Sequence, residues 1–340
     1  MLRPGHSIHN PYAGPSTYPV AYFAVRFSAL ILGNLTTSEL TGRLSGTGLD
    51  LQTGPFRIRV TSPFEHVAEA LAQLYASSPL PDSNDFADFH VALQAPRNLR
   101  RWFRPQVDFL FDGERPFKPL PMDQAYPMLE WGLNWCVSMH AHQYLIIHAA
   151  AVEKNGFAAI LPAPPGSGKS TLCAGLILAG WRLLSDELTL IDRRSGLIQA
   201  LARPVSLKNQ SIPVIRAFAP EVFINREVRD TAKGTVAHLR PPADSVRRQN
   251  EPARPGWVIF PKWEPMVETE LTPRSQAQTF IYLAQNAFNY SHLGQHGFDA
   301  GTALIRQSAC YDFHYSRLEE AVQVFDQLAA QQLSTTMAQA

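Results

Sequence analysis

The sequence predicts an α/β protein in which a larger domain on a mixed sheet follows a small α+β domain. Three observations carry that expectation. The 340 residues suffice for two domains at the usual ~150 residues each. Asn155-Gly156 joins apolar runs at 144–152 and 157–161, which predicts a hairpin and gives the second run an antiparallel neighbour. That second run then enters Ala163-Pro164-Pro165-Gly166-Ser167-Gly168-Lys169-Ser170-Thr171 and a helical pattern over 172–179. This is the strand, loop, helix order of a phosphate-binding loop, here fed by a hairpin rather than by a helix.

Residues 1–21 hold Pro4, Pro11, Pro15 and Pro19 with Gly5 and Gly14, too interrupted for a regular element, and read as a flexible tail. The small α+β domain is expected over 22–125. Phe56, Ile58 and Val60 alternate as a strand, 67–75 reads as an amphipathic helix, and 89–93 and 107–111 read as strands, the latter entering a tight turn at Asp112-Gly113. This part carries no catalytic signature. The larger domain is expected over 126–335. It opens with a helix at 128–142 whose Trp131 and Trp135 read as core. A second core strand is expected over 182–192, closed by Arg194-Ser195-Gly196, followed by a strand at 258–260 and helices at 277–289 and 318–330.

The bulk numbers exclude some classes. Hydrophobic content of 45% and charged content of 17% describe an ordinary globular chain. Thirty basic against twenty-nine acidic residues give no field that would draw nucleic acid or membrane in general, so anion binding must be local. Cys136, Cys173 and Cys310 are widely spaced and odd in number, as expected of free thiols in a reducing compartment. No run approaches eighteen apolar residues and no secretory leader is evident, so the expected location is cytoplasmic.

The loop predicts nucleotide binding. Amides around Gly166, Ser167, Gly168, Lys169 and Ser170 can surround a phosphate at a helix N-terminus, with Lys169 on the β/γ oxygens and Ser170 on Mg²⁺. The motif GxxxxGK[ST] asks for Gly where this chain has Ala163. Asp186-Glu187 lie among Leu183, Leu184, Leu188 and Leu190, where adjacent acids in a strand would face opposite sides and need a metal or substrate as partner. His148, in an otherwise apolar run, belongs with them.

With His148 twenty-one residues before Lys169 and Asp186-Glu187 seventeen and eighteen after it, the chain resembles the kinase domain of the HPr kinase/phosphorylase family over about 140–330. Gly180-Trp181-Arg182-Leu183-Leu184-Ser185, Pro252-Ala253-Arg254-Pro255-Gly256 and Ala287-Phe288-Asn289-Tyr290 add to the likeness. Segments 129–135, 206–209, 233–242 and 286–291 are similar to the group called HprK-related kinase A, over nearly the whole chain. The resemblance implies an HPr kinase-like fold and ATP- and Mg²⁺-dependent phosphorylation of a serine-like hydroxyl on a peptide, small carrier protein or small molecule. Glu187 matches the proton acceptor and Asp186 a metal ligand or orienting group, an assignment open by one position, while His148 pairs with them. Lys208 stands in Ser206-Leu207-Lys208-Asn209, where the HPr enzymes carry a metal-binding glutamate, and is expected on a phosphate. Lys233, in a stretch at 233–240 expected to be a mobile basic loop, and Arg254 are the other expected substrate cations. Trp257 replaces an Arg linked to phosphorolysis, so the reverse reaction is expected to be weak. A small peptide-chaperone-like partner and a homo-oligomer fit the family context. The competing reading is a nucleotide-binding switch or adaptor that hydrolyses ATP slowly and acts through a partner.

Overall fold

The computed structural model describes residues 30–81, 86–164 and 166–339, with side chains described to residue 334. The expected tail at 1–21 and Pro165 of the glycine-rich turn lie outside the described residues. The architecture is mixed α/β.

The first helix, α1 (Thr37–Ser45), starts at a capping box. The Glu39 amide donates to the Thr36 hydroxyl at 3.2 Å, and the Thr36 amide donates to the Glu39 carboxylate at 2.8 Å. Strands β1 (Leu49–Thr53) and β2 (Phe56–Thr61) follow, then α2 (Glu65–Leu74), β3 (Phe89–Gln94), β4 (Gln106–Phe111) and β5 (Leu120–Pro121). They form a sheet in sequence order, and β2 and β3 run parallel because α2 crosses between them. After β4 the chain turns on Asp112 (φ 48°) and Gly113 (φ 85°), the left-handed pair that a two-residue hairpin turn demands. Helix α3 (Ala125–His140) lies against this sheet and starts three residues before its expected start. Gly132 permits the close approach: a Cβ there would lie 2.2 Å from the Phe109 ring.

The hairpin predicted at Asn155-Gly156 joins β6 (Tyr144–Lys154) to β7 (Phe157–Pro162), with φ of 56° and 84° at the two turn residues. Then come α4 (Lys169–Leu178), β8 (Arg182–Ser185), β9 (Leu188–Asp192), β10 (Ile198–Gln199), β11 (Val205–Lys208) and α5 (Ser211–Phe218). Strands β12 (Val228–Thr231) and β13 (Gly234–Leu239), helix α6 (Ala243–Arg247), β14 (Arg254–Trp263) and β15 (Glu270–Pro273) continue the chain. Helices α7 (Gln276–Gln285), α8 (Tyr290–Leu293) and α9 (Gln295–Arg306), strand β16 (Ala309–Tyr315) and helix α10 (Leu318–Gln339) complete it. The large sheet has the order β10-β9-β6-β7-β14-β16-β15, with β8 also on β6. Strands β7, β14 and β16 are parallel and the β6 pairings antiparallel, so the sheet is mixed. A small sheet, β11-β13-β12, stands beside it.

Two expectations need correction. The single strand expected over 182–192 is two strands on one edge of β6: β8 pairs with residues 151–153, β9 with residues 144–148, and the chain bends between them at Asp186-Glu187. A buried Asp186 and a half-buried Glu187 are easier to accommodate on a bend facing a cleft than on opposite faces of a packed strand. The stretch at 233–240 is not a loop: Gly234–Leu239 form β13, the central strand of the small sheet, and its last four residues are buried.

Strand β6 positions the site. Leu145, Ile147, Ala149 and Ala151 face one core, together with Leu283, Leu304 and Ile305. On the other face, Tyr144 and Ile146 belong to the core shared by α3 and the N-terminal sheet, whereas Ala150 and Val152 belong to the core beneath α4. His148 falls on that face between the two groups, because side chains alternate along a strand. A small polar cleft lined by Glu130, Asn134, Asp186, Glu187, Arg203 and His238 opens beside it.

Candidate functional site

One wall is the turn into α4. Gly166 (φ 86°) and Gly168 (φ 89°) are both left-handed, and Gly168 is the N-cap of α4. A Cβ at Gly168 would lie 2.6 Å from the Tyr315 hydroxyl and 2.9 Å from Trp263 Cβ, so glycine is required there. Ala163 is buried and its φ is not positive, so this position does not need the glycine that the motif calls for. Pro164 and Gly166 are exposed, Ser167 is buried, and Lys169, Ser170 and Thr171 form the half-buried first turn. Helix-end amides and an ammonium group together can receive an anion. Burial pushes the Lys169 pKa down, an effect that the charges of Asp186 and Glu187 oppose.

The facing wall carries the acids. Asp186 Oδ2 accepts from the Ser206 amide at 3.0 Å, but Oδ1 is buried with no hydrogen-bond partner among the described residues. Burial raises its pKa against the pull of Lys208 and Lys169. Glu187 is held on both oxygens: Oε2 accepts from Asn134 Nδ2 at 2.7 Å, and Oε1 lies 3.7 Å from Lys233 Nζ and 4.0 Å from His148 Nε2. Burial alone would push this carboxyl up, but Lys233, Lys208 and Lys169 together hold it below the usual range. Burial, with Lys169 beside it, lowers His148 to about 4, so its ring is neutral near pH 7. The structure thus brings together His148, Lys169, Asp186, Glu187, Lys208 and Lys233. Three lysines facing two carboxylates leave a surplus positive charge for an anion.

Further residues build the same cleft without any motif to announce them. Arg203 donates to Asn134 Oδ1, and Asn134 in turn holds Glu187. Arg203 also lies 3.9 Å from Glu130, which accepts from Tyr75 and Tyr126 hydroxyls at 2.8 Å each. This chain of contacts links the end of α2 to the acid bend. Lys233 stacks over the Trp131 ring at 5.2 Å, so this indole, expected as core, shapes the cleft. His238 is fully buried, edge-on to Tyr126, and burial with Lys208 and Arg203 nearby pushes it down to about 3. The signal for Glu130 and Asn134 was in the sequence: two polar residues four apart in an apolar helix share a face.

Two expected residues lie elsewhere. Arg254 opens β14 and pairs with Phe157, at the end of the sheet away from the α4 turn. Because β14 runs parallel to β7, Arg254 is about five residues short of the turn, roughly 17 Å at 3.3 Å per residue. Trp257 is a buried core residue packed between Phe157 and Trp181, not a group that faces the α4 turn. The Asn286 to Asn289 segment has a structural role: Asn289 exchanges hydrogen bonds with Ile146 N at 3.0 Å and Tyr144 O at 2.9 Å, closing the β6 edge that β7 leaves.

Among the described residues no group of three or more His, Cys, Asp or Glu could hold a metal ion, and no helix is long and apolar enough to cross a membrane. The protein is mixed α/β, with lysines gathered at the head of α4 opposite paired carboxylates. No protein-family model matches the sequence, and no curated protein matches it. Among solved structures, the chain aligns with the Hpr(Ser) kinase/phosphatase from Coxiella burnetii at 11% identity, covering 56% of this chain and 98% of that one, with a TM-score of 0.27.

Proposed function

We propose that the protein is an ATP-dependent phosphotransferase that moves the γ-phosphoryl group to a serine-like hydroxyl on a peptide, a small carrier protein or a small molecule. The observation that carries this reading is the convergence of Lys169, Lys208 and Lys233 on Asp186 and Glu187 across the head of α4. Lys169 and the α4 amides receive the triphosphate and offset its charge. Glu187 accepts the proton of the acceptor hydroxyl, whose oxygen attacks the γ-phosphorus as the bond to the β–γ bridging oxygen breaks and ADP departs. Neutral His148, beside Glu187, can take that proton onward.

Mg²⁺ fits the residues present. The unsatisfied buried Oδ1 of Asp186 and the Ser170 hydroxyl would hold it, and so small a protein ligand set matches an ion that takes most of its oxygens from phosphate and water. Its contribution is to neutralise developing charge on the transferring group.

Glu187 is a weak base while Lys233 sits on it, since that ammonium heads the cations holding its pKa down. An acceptor that displaces Lys233 from Oε1 raises its basicity at the moment of need. A second reading, a nucleotide-dependent switch, is favoured by that same contact, because it leaves both Glu187 oxygens engaged. The deciding experiment incubates the protein with γ-labelled ATP and fractionated lysate of its own organism. A labelled acceptor species supports transfer, whereas labelled inorganic phosphate alone in every fraction defeats it.

A further inference from the structure

The flank of the α4 turn opposite the acids is built differently. In the sheet order β9-β6-β7-β14-β16, the acid bend and His148 lie on the β6 side of β7, and β14 and β16 lie on the other side. Both of those strands are parallel to β7, so they end at the same edge as the turn, where ligands settle on parallel sheets. Strand β14 ends in Trp263. Its register places it on the face of Trp257 and Ile259, which pack in the core beneath α4, so its side chain lies on the α4 side of the sheet.

Trp263 is fastened to the turn. Its amide donates to Ser167 O at 2.9 Å, and the neighbouring Tyr315 hydroxyl donates to Gly168 O at 3.2 Å. The indole Nε1 donates to Ser316 O at 3.1 Å, which fixes the ring while leaving it 49% exposed. A fixed, half-open indole beside a phosphate seat is a stacking surface.

We propose that Trp263 is the platform on which the nucleobase of the bound nucleotide stacks. The inference rests on the nucleotide-binding reading above and adds the base subsite to it. A triphosphate whose γ end faces Glu187 extends its nucleoside toward β14 and β16, where this ring stands at the lip of Ser167-Gly168. Because Nε1 is committed to Ser316 O, the indole offers its π-face and no donor to read base edges. Stacking area therefore decides selectivity: ATP and GTP bind alike, and both bind more tightly than CTP or UTP.

The test compares Mg²⁺-ATP with Mg²⁺-tripolyphosphate, which has the phosphates and no base, by calorimetric titration of wild type, Trp263→Ala and Trp263→Phe. Trp263→Ala is expected to weaken ATP about tenfold, the scale of losing one base stack. Its tripolyphosphate affinity stays at the wild-type value, which also shows that the variant is folded, and Trp263→Phe keeps most of the ATP affinity. Equal losses for both ligands, or none for ATP, would overturn the platform. Failure of wild type to bind either ligand overturns the nucleotide reading itself, and the platform with it; tight tripolyphosphate with no gain for ATP overturns the platform alone.

Discussion

Buried carboxylates in the N-terminal sheet and at the bend between β8 and β9 are treated in opposite ways. Asp50 is nearly inaccessible and fully matched: Arg59 grips both its oxygens at 2.7 and 2.8 Å, and Arg57 adds a contact at 2.8 Å. Burial raises the Asp50 pKa, but these guanidinium groups outweigh it and hold the carboxyl low. Asp186 is equally hidden, yet one of its oxygens has no partner among the described residues and its pKa rises. The first arrangement is complete as it stands. The second is short of a cation or donor, the condition expected where a ligand is meant to finish the electrostatics.

Mutations at the two places should separate these conditions. The largest expected effect is at the cation facing the bend: Lys169→Ala should lower Mg²⁺-ATP affinity or turnover by on the order of 10³, since one ammonium against phosphate in a half-buried seat is hard to replace. Calorimetry that finds wild-type affinity in this variant, with wild-type turnover, removes the anion seat. Next, Glu187→Gln should leave ATP binding nearly intact and slow phosphoryl transfer by on the order of 10² in single-turnover assays. Unchanged transfer would favour the switch.

Stability measurements test the same contrast. Asp50→Asn should cost about 2 kcal/mol in urea unfolding, the scale of charged hydrogen bonds lost to two arginines. Acid should act through His238, whose pKa is about 3 in the folded protein against 6.5 when unfolded. The unfolded chain binds the proton first, so stability is full above about pH 6.5 and falls by up to about 1.4 kcal/mol per pH unit toward 3. His238→Gln should flatten that slope, and identical slopes would show that other groups cause the acid loss. Asp186 has the opposite sign. With its folded pKa raised, the ionised carboxylate costs stability at neutral pH, so Asp186→Asn should stabilise the ligand-free protein while weakening Mg²⁺ dependence. A loss of stability there would place Asp186 in the same class as Asp50.

The sequence was most legible where backbone chemistry is local. Asn155-Gly156 and Asp112-Gly113 demand left-handed turns, and Gly166 and Gly168 with the apolar run after them demand a turn into a helix. His148, Lys169, Asp186 and Glu187 could be gathered because each is a polar group in an apolar element. Arg254 and Trp257 went astray for a topological reason: a strand's residues do not say which end of the sheet they will occupy. Arg203 and His238 escaped assignment because they reach the cleft from β11's approach and β13, brought together only by long-range packing, whereas Asn134 was legible from its spacing to Glu130 on one face of α3. Trp263 was silent for the same reason, as its meaning comes from the parallel alignment of β14 with β7.

Strand β6 has one more consequence, for cooperativity. Its residues contribute to each of the three hydrophobic clusters among the described residues: Tyr144 and Ile146 to the one shared with the N-terminal sheet, Ala150 and Val152 to the one under α4, and Leu145 and Ile147 to the third. Opening any one cluster strips a face of the strand that the others also need. A chain of 340 residues would often melt in stages, but this one should lose its parts in a single transition. A fragment ending or beginning near residue 125 would keep half of a shared interior and be a target for proteases and chaperones rather than a working module.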